Sequence, residues 1–179
     1  LVLKPMRTFT ARRGAGIALL FILTYKLGEA FLATLTTPFI KEIGFTNTEL
    51  GTLHTVLGLL ATIGGGLAAA TVLPRVGIQK GLIIFGAIQA LTNCCYALLA
   101  VTGKSYVVLV FAVIVDNAAT GLGDAAFVAF LLGLCDKRFS ATQYAVFSSV
   151  AAFPARVLGT RAGAMATALG WAPFFTATI

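Results

Sequence analysis

The sequence predicts an all-α integral membrane protein with five complete spans and a sixth that is still apolar where the sequence stops. Three observations predict it. Hydrophobic residues make up 59% of the 179 positions and charged ones only 11%, with a mean hydropathy of +0.96, whereas soluble domains carry about 25% charged residues. Apolar runs of roughly 20 residues or more recur along the chain, the length that lets a helix cross a bilayer. None of these runs shows the period-two alternation of a half-buried strand.

The spans follow in order. Residues 1–13 are basic and read as a cytoplasmic linker, and the lack of an initiating Met leads to the expectation that sequence upstream is missing. Helix A covers about 14–39, B 47–73, C 80–101, D 105–134 and E 141–160, and helix F starts near 163 and runs to 179. Thr46 with Glu49 fits a capping box at the start of B, and Ser140 with Gln143 fits one at the start of E. Pro74 and Gly77 break the chain between B and C.

The net charge of +7 invites a nucleic-acid partner, but the distribution of basic residues argues against one. Taking the segments between spans alternately, one side holds Lys4, Arg7, Arg12, Arg13, Arg75, Lys80, Lys137 and Arg138, and the other only Lys41, Lys104 and Arg161. That asymmetry is the positive-inside bias, and it puts the N-terminus and the B–C and D–E loops in the cytoplasm. Cys94, Cys95 and Cys135 sit in or at the end of apolar helices with no metal-ligand spacing, so they read as packing residues. The Gly64–Gly66 triplet lies inside a span with no strand before it, which excludes a phosphate loop and favours close helix packing.

The chemistry lies in polar groups placed inside the membrane. Lys26 and Glu29 sit mid-span in helix A, three residues apart on one face. At 1.5 Å per residue, Lys26 falls about 18 Å into the span, near the midplane. A charge there costs roughly 2.5–3.5 kcal/mol on insertion scales and marks a substrate or ion pathway. Ala33, Thr36 and Thr37 continue the same stripe.

In helix D, Asp116, Thr120 and Asp124 fall at i, i+4 and i+8, with Asn117 beside the first. A carboxylate kept from water is a candidate proton carrier, so Glu29, Asp116 and Asp124 are assigned to proton coupling. The alternative for Asp116 is a structural pairing with Lys26, and for Asp124 a wet position near the inner interface. Gly121, Gly123, Ala125 and Ala126 let another helix approach. Helix E supplies Gln143, Tyr144, Ser148, Ser149 and Arg156, with Pro154 bending it. Lys26, Asn117, Gln143, Tyr144 and Arg156 are assigned to substrate binding. His54 is the single histidine and reads as an interfacial residue or a proton relay. No nucleophile–base pair or metal motif supports an enzyme, and no cofactor is implied beyond a proton gradient. A non-transporting membrane scaffold is the remaining alternative.

The B–C loop, LPRVGIQK (Leu73–Lys80), resembles the loop motif of the major facilitator superfamily, with Pro74 where an aspartate is usual. Four longer stretches sharpen the match: FILTYKLGEAFLATLTTPF (Phe21–Phe39), LGLLATIGGGL (Leu57–Leu67), LIIFGAIQALTNCCYALLAV (Leu82–Val101) and AAFVAFLLGLCDKRFSATQYAVFSS (Ala125–Ser149). Together they resemble the C-terminal six-helix half of the AmpG family of muropeptide permeases. The resemblance implies proton-coupled import of anhydro-muropeptides across the bacterial inner membrane for cell-wall recycling. It also implies a missing N-terminal six-helix half and a link to beta-lactamase induction. It places Lys26 and Glu29 on the family's lysine–acid pair, Asp116 and Asn117 on an acid–asparagine pair, and Arg156 on an arginine late in the eleventh helix. His54, Thr55 and Asp124 depart from the family pattern, as does the stretch from Pro154. A related carrier, such as an acetyl-CoA transporter, is the alternative within the superfamily.

Overall fold

Every described secondary-structure element is a helix. The computed structural model describes residues 3–11 and 13–169, with side chains at 6–11, 13–26, 29, 30, 33 and 35–154. The helices are α1 (Leu3–Thr10), α2 (Ala15–Tyr25), α3 (Leu27–Glu42), α4 (Asn47–Thr52), α5 (Leu59–Val76), α6 (Ile78–Thr102), α7 (Tyr106–Leu134) and α8 (Ser140–Leu169). A π-helical segment, Leu53–Gly58, joins α4 to α5, so that Asn47–Val76 is one continuous rod. Among the described residues, three helices are long and apolar enough to cross a membrane: Asn47–Val76, Ile78–Thr102 and Tyr106–Leu134.

Several boundaries differ from the sequence expectation. Helix A is not one unbroken helix, because the chain breaks at Lys26, whose φ of −89° and ψ of 4° separate α2 from α3. The neighbouring side chains give the reason. Tyr25 stacks on Phe127 with ring centroids 5.2 Å apart and donates its hydroxyl to the Leu82 carbonyl at 3.2 Å, while Lys26 reaches Asp124. Adjacent residues of a straight helix point about 100° apart, so a local bend is needed for both to reach the same neighbours.

Other ends move for simpler reasons. Helix B passes through Pro74 and stops at Gly77, whose φ of +82° is a conformation that glycine accepts readily. α8 runs unbroken to Leu169, without the interruption expected at residues 161–162, since good helix formers such as Arg161, Ala162 and Ala164 fill that stretch. Residues 170–179, the rest of expected helix F, lie outside the described residues. The segment read as a linker contains α1, docked on α8 through the Phe9–Phe147 edge contact at 4.7 Å.

The Thr46–Glu49 capping box is formed, with both reciprocal bonds present. The Ser140–Gln143 box is not. Ser140 is already helical, and the Gln143 Oε1 accepts the Asp136 backbone N–H at 2.6 Å. At the end of the molecule that carries Glu49, Lys104 donates to the Gly44 carbonyl at 2.7 Å and lies 5.2 Å from the centre of the Phe45 ring, and Tyr106 bonds Glu49.

Two apolar cores result. One gathers Leu35, Phe39, Phe45, Tyr96, Leu109 and Val113, and the other gathers Phe9, Ile22, Leu82, Phe85, Phe127 and Phe147. On α6 and α7, and along α2–α3, these sets occupy opposite ends, and the charged and amide side chains fall between them.

Small residues set the distance between α5 and α7. A Cβ on Gly65 would strike the Ala118 carbonyl, and one on Gly121 would strike the Thr62 carbonyl. This is the small-residue packing by which membrane helices approach closely. Gly64, by contrast, faces open space. Replacing Gly121 with Val should therefore destabilise the fold by about 1–3 kcal/mol, the usual range for overpacking. Gly64→Ala should leave stability unchanged or slightly raised. Denaturant titration of the purified variants in detergent measures both.

Candidate functional site

The break at Lys26 delivers its ammonium to two carboxylates on different helices. Lys26 Nζ donates to Glu29 Oε2 at 2.5 Å, one turn along α3, and to Asp124 Oδ1 on α7. The side chains are 18%, 29% and 47% exposed for Lys26, Glu29 and Asp124, so the cluster opens toward the Asp124 side. The Phe127 ring lies 5.9 Å from the same ammonium and covers it from the apolar core.

From Glu29 the hydrogen bonds pass to α6. Gln89 Nε2 donates to Glu29 Oε2 at 3.1 Å and to Thr120 Oγ1 at 3.4 Å. One turn further on, Thr92 Oγ1 lies 2.7 Å from the Gln89 carbonyl and 2.9 Å from Asp116 Oδ1. Tyr96 donates to the other Asp116 oxygen at 3.2 Å. Asn117 donates from Nδ2 to the Val113 carbonyl at 2.8 Å and lies against Gly58, at the end of the π-helical segment. That segment carries His54 into the same region. π-helical turns within α-helices are often found at functional sites.

These groups line two adjoining clefts that share Glu29 and Ala33. The first, about 390 Å³, holds Lys26, Glu29 and Asp124 with Tyr144 and Ser148 of α8 on its far wall. The second, about 330 Å³, holds Glu29, His54, Gln89, Asp116, Asn117 and Thr120. Thr36 and Thr37 complete the second, which makes it the more polar of the two.

Most of the sequence-assigned residues come together here. Lys26, Glu29, Asp124 and Tyr144 meet in the first cleft, and Asp116 and Asn117 join Glu29 in the second. Lys26 pairs with Asp124 rather than with Asp116, whose hydrogen bonds come from α6. Asp124 accordingly faces the lysine cluster, with its side chain half-exposed to the first cleft. Gln143 stands apart. It is fully buried, accepts from the Asp136 backbone and donates to Thr8 Oγ1 at 3.4 Å, and it lines neither cleft. The Arg156 side chain lies outside the described residues.

The α6 contribution was not assigned from sequence. Gln89, Thr92 and Tyr96 fall at i, i+3 and i+7, one face of an otherwise apolar helix, and that spacing was the available signal. Among the described residues no cluster of three or more potential metal ligands occurs. Cys94, Cys95 and Cys135 form no disulfide with one another, and the Cys135 Sγ lies 3.2 Å from the Leu131 carbonyl.

The Lys26–Asp124 bridge makes a direct prediction about stability. Lys26→Met leaves two neighbouring carboxylates without their cation, so it should be more destabilising than the pair change Lys26→Met with Asp124→Asn. A double-mutant cycle should return a coupling of about 0.5–3 kcal/mol. Zero coupling would show that the bridge contributes nothing to the fold.

No family model matches the chain. Individual relatives do. The chain is 41% identical to the anhydromuropeptide permease of Escherichia coli K12 over 175 residues, which is 97% of this chain and 36% of that protein. A Rickettsia conorii protein carrying the name AmpG 4 is 36% identical over 178 residues, 99% of this chain and 43% of its own length. A Haemophilus influenzae protein of uncharacterized function is 33% identical over 181 residues, 96% of this chain and 43% of its own length. The chain thus spans well under half the length of each of these relatives. Over nearly all of its own length, this chain is a homologue of the AmpG-type permeases.

Proposed function

We propose that this chain is the C-terminal six-helix half of a proton-coupled major facilitator transporter that imports anhydro-muropeptides across the bacterial inner membrane. One observation carries the reading. A continuous layer of charged and amide side chains, Lys26–Glu29–Asp124 and Asp116 with Gln89, lines two clefts between apolar cores in a bundle that contains membrane-length helices. Such a layer is costly to keep in a bilayer unless it serves a path for solute or ions. Homology to proteins named as permeases supports the same reading.

In this reading, an N-terminal half supplies the opposing wall, and the two halves rock about a site at the midplane. Residues 1–13 lie on the cytoplasmic side. Lys26 holds a substrate carboxylate, Asn117 and Tyr144 bond its amides and hydroxyls, and Arg156 is a second candidate for an anionic group. Gln143 takes no substrate role, because it is closed into the base of α8. Glu29, Asp116 and Asp124 bring three carboxylates against the single lysine ammonium of the clefts. Protons can cancel the excess negative charge and be released as the clefts change exposure. The driving force is the proton gradient, with no cofactor.

The test is uptake of labelled anhydro-muropeptide into vesicles holding the full-length protein, with and without an inward proton gradient. Gradient-dependent accumulation is expected. Asp116→Asn should reduce accumulation to the level seen without a gradient while leaving substrate exchange between the two sides intact. Accumulation by Asp116→Asn at the wild-type level would remove Asp116 from the coupling step, and no uptake by inserted wild-type protein would remove the muropeptide reading.

A further inference from the structure

The partners of Lys26 are unequal, and the inequality suggests how an anionic solute enters. Glu29 is held twice, by Lys26 and by the Gln89 amide at 3.1 Å, and it lies on the same stretch of chain as the lysine. Among the described residues, the Asp124 carboxylate has Lys26 as its hydrogen-bonding partner, comes from α7, and is 47% exposed into the first cleft. The wall opposite, Tyr144 and Ser148 of α8, brings hydroxyl groups but no charge. Of the two acids on the ammonium, Asp124 is therefore the one that can leave without breaking a second bond or moving the α2–α3 break.

A lysine carries three donors. A third carboxylate arriving at an ammonium already shared by two would crowd like charges around one cation. Exchange of one carboxylate for another keeps the ammonium compensated, and the displaced Asp124 carboxylate, already half-exposed, turns to the open cleft, where water can solvate it.

We propose that Asp124 is a specificity-determining residue, an internal competitor that occupies the Lys26 ammonium in the empty site and is displaced by a carboxylate of the solute. This rests on the transport reading above. Asp124 sets how strongly a solute must present a carboxylate in order to bind, and it turns outward to the cleft when one does. A purely structural bridge between α3 and α7 would carry no such dependence on the charge of the solute.

The experiment compares two solutes in vesicles of the full-length protein: an anhydro-muropeptide with free peptide carboxylates, and the same compound with those carboxylates converted to carboxamides. Asp124→Asn should lower the KM for the free acid by about tenfold, corresponding to one modest charge interaction. It should shift the KM for the carboxamide far less, so that the ratio of the two KM values changes by most of that factor. Asp124→Glu, which keeps the competitor, should retain the wild-type ratio of the two KM values. If Asp124→Asn is not recovered in the membrane, the ratio is read on Asp124→Ser. An unchanged ratio in the neutral variant, or a rise in both KM values, would overturn the competitor role and leave a structural bridge. Uptake of neither solute by inserted wild-type protein would instead overturn the transport reading itself, and this proposal with it.

Discussion

The architecture depends on one requirement: the Lys26 ammonium, in the middle of an apolar run, must be compensated where water is scarce. A charge at that depth is tolerated only when paired, and the pairing decides the geometry around it. One partner, Glu29, is local and costs the fold little. The other, Asp124, lies 98 residues away in sequence and ties α3 to α7. Tyr25 and Lys26 must both reach toward the same neighbours, and the helix gives way between them. The break at the centre of helix A coincides with the charge, and Gly28, two residues on, is a weak helix former that makes it easier.

The second constraint is steric. α7 has to present Asp116, Thr120 and Asp124 along one stripe while packing closely on α5 with another. Ala118 and Gly121 make that possible, since they bring its backbone against Thr62 and Gly65. A third direction is served by Gly123, where an added Cβ would meet the Gln89 amide oxygen at 3.0 Å. Small residues on α7 therefore admit Gln89 to the position from which it bonds both Glu29 and Thr120. Packing and polarity are arranged on the same helix by alternating which face carries bulk.

The sequence makes the helical class legible through hydropathy and run length, and the ion pair through its three-residue spacing. It also makes the Asp116–Asp124 stripe legible, because helical periodicity puts carboxylates four and eight residues apart on one side. What it leaves open are choices between partners. Nothing in the spacing of Lys26 distinguishes Asp124 from Asp116, since both lie on the same face of α7 and only the vertical register of two helices separates them. The distance of Gln143 from the two clefts was hidden for a related reason. Its position in helix E is polar and near the sites, but its depth puts it level with the α7–α8 loop, where the Asp136 N–H claims it. The Gln89, Thr92 and Tyr96 stripe was visible as a pattern, but neutral polar residues draw less notice than charges. The π-helical segment at His54 has no composition signal of its own; at its end Gly58 lies against Asn117 on α7.

The charge inventory of the two clefts limits what they can accept. Among the described residues that line them, Lys26 and His54 are the basic groups, set against Glu29, Asp116 and Asp124. In the proposed transporter, a solute bearing carboxylates would enter a site already rich in them. Two processes keep such a site electrically tolerable in a low-dielectric setting: taking up protons, and exchanging a protein carboxylate for one on the solute. The clefts contain a group suited to each. Asp116 lines the cleft that lacks the lysine, so no ammonium holds it ionised there, although the Thr92 and Tyr96 hydroxyls favour its charged form; Asp124 is held by the lysine and open to the cleft, a setting that suits exchange. Glu29, shared by both clefts and fixed by Gln89, connects them. In the proposed transporter, a solute in the first cleft and a proton in the second would therefore meet at this one glutamate.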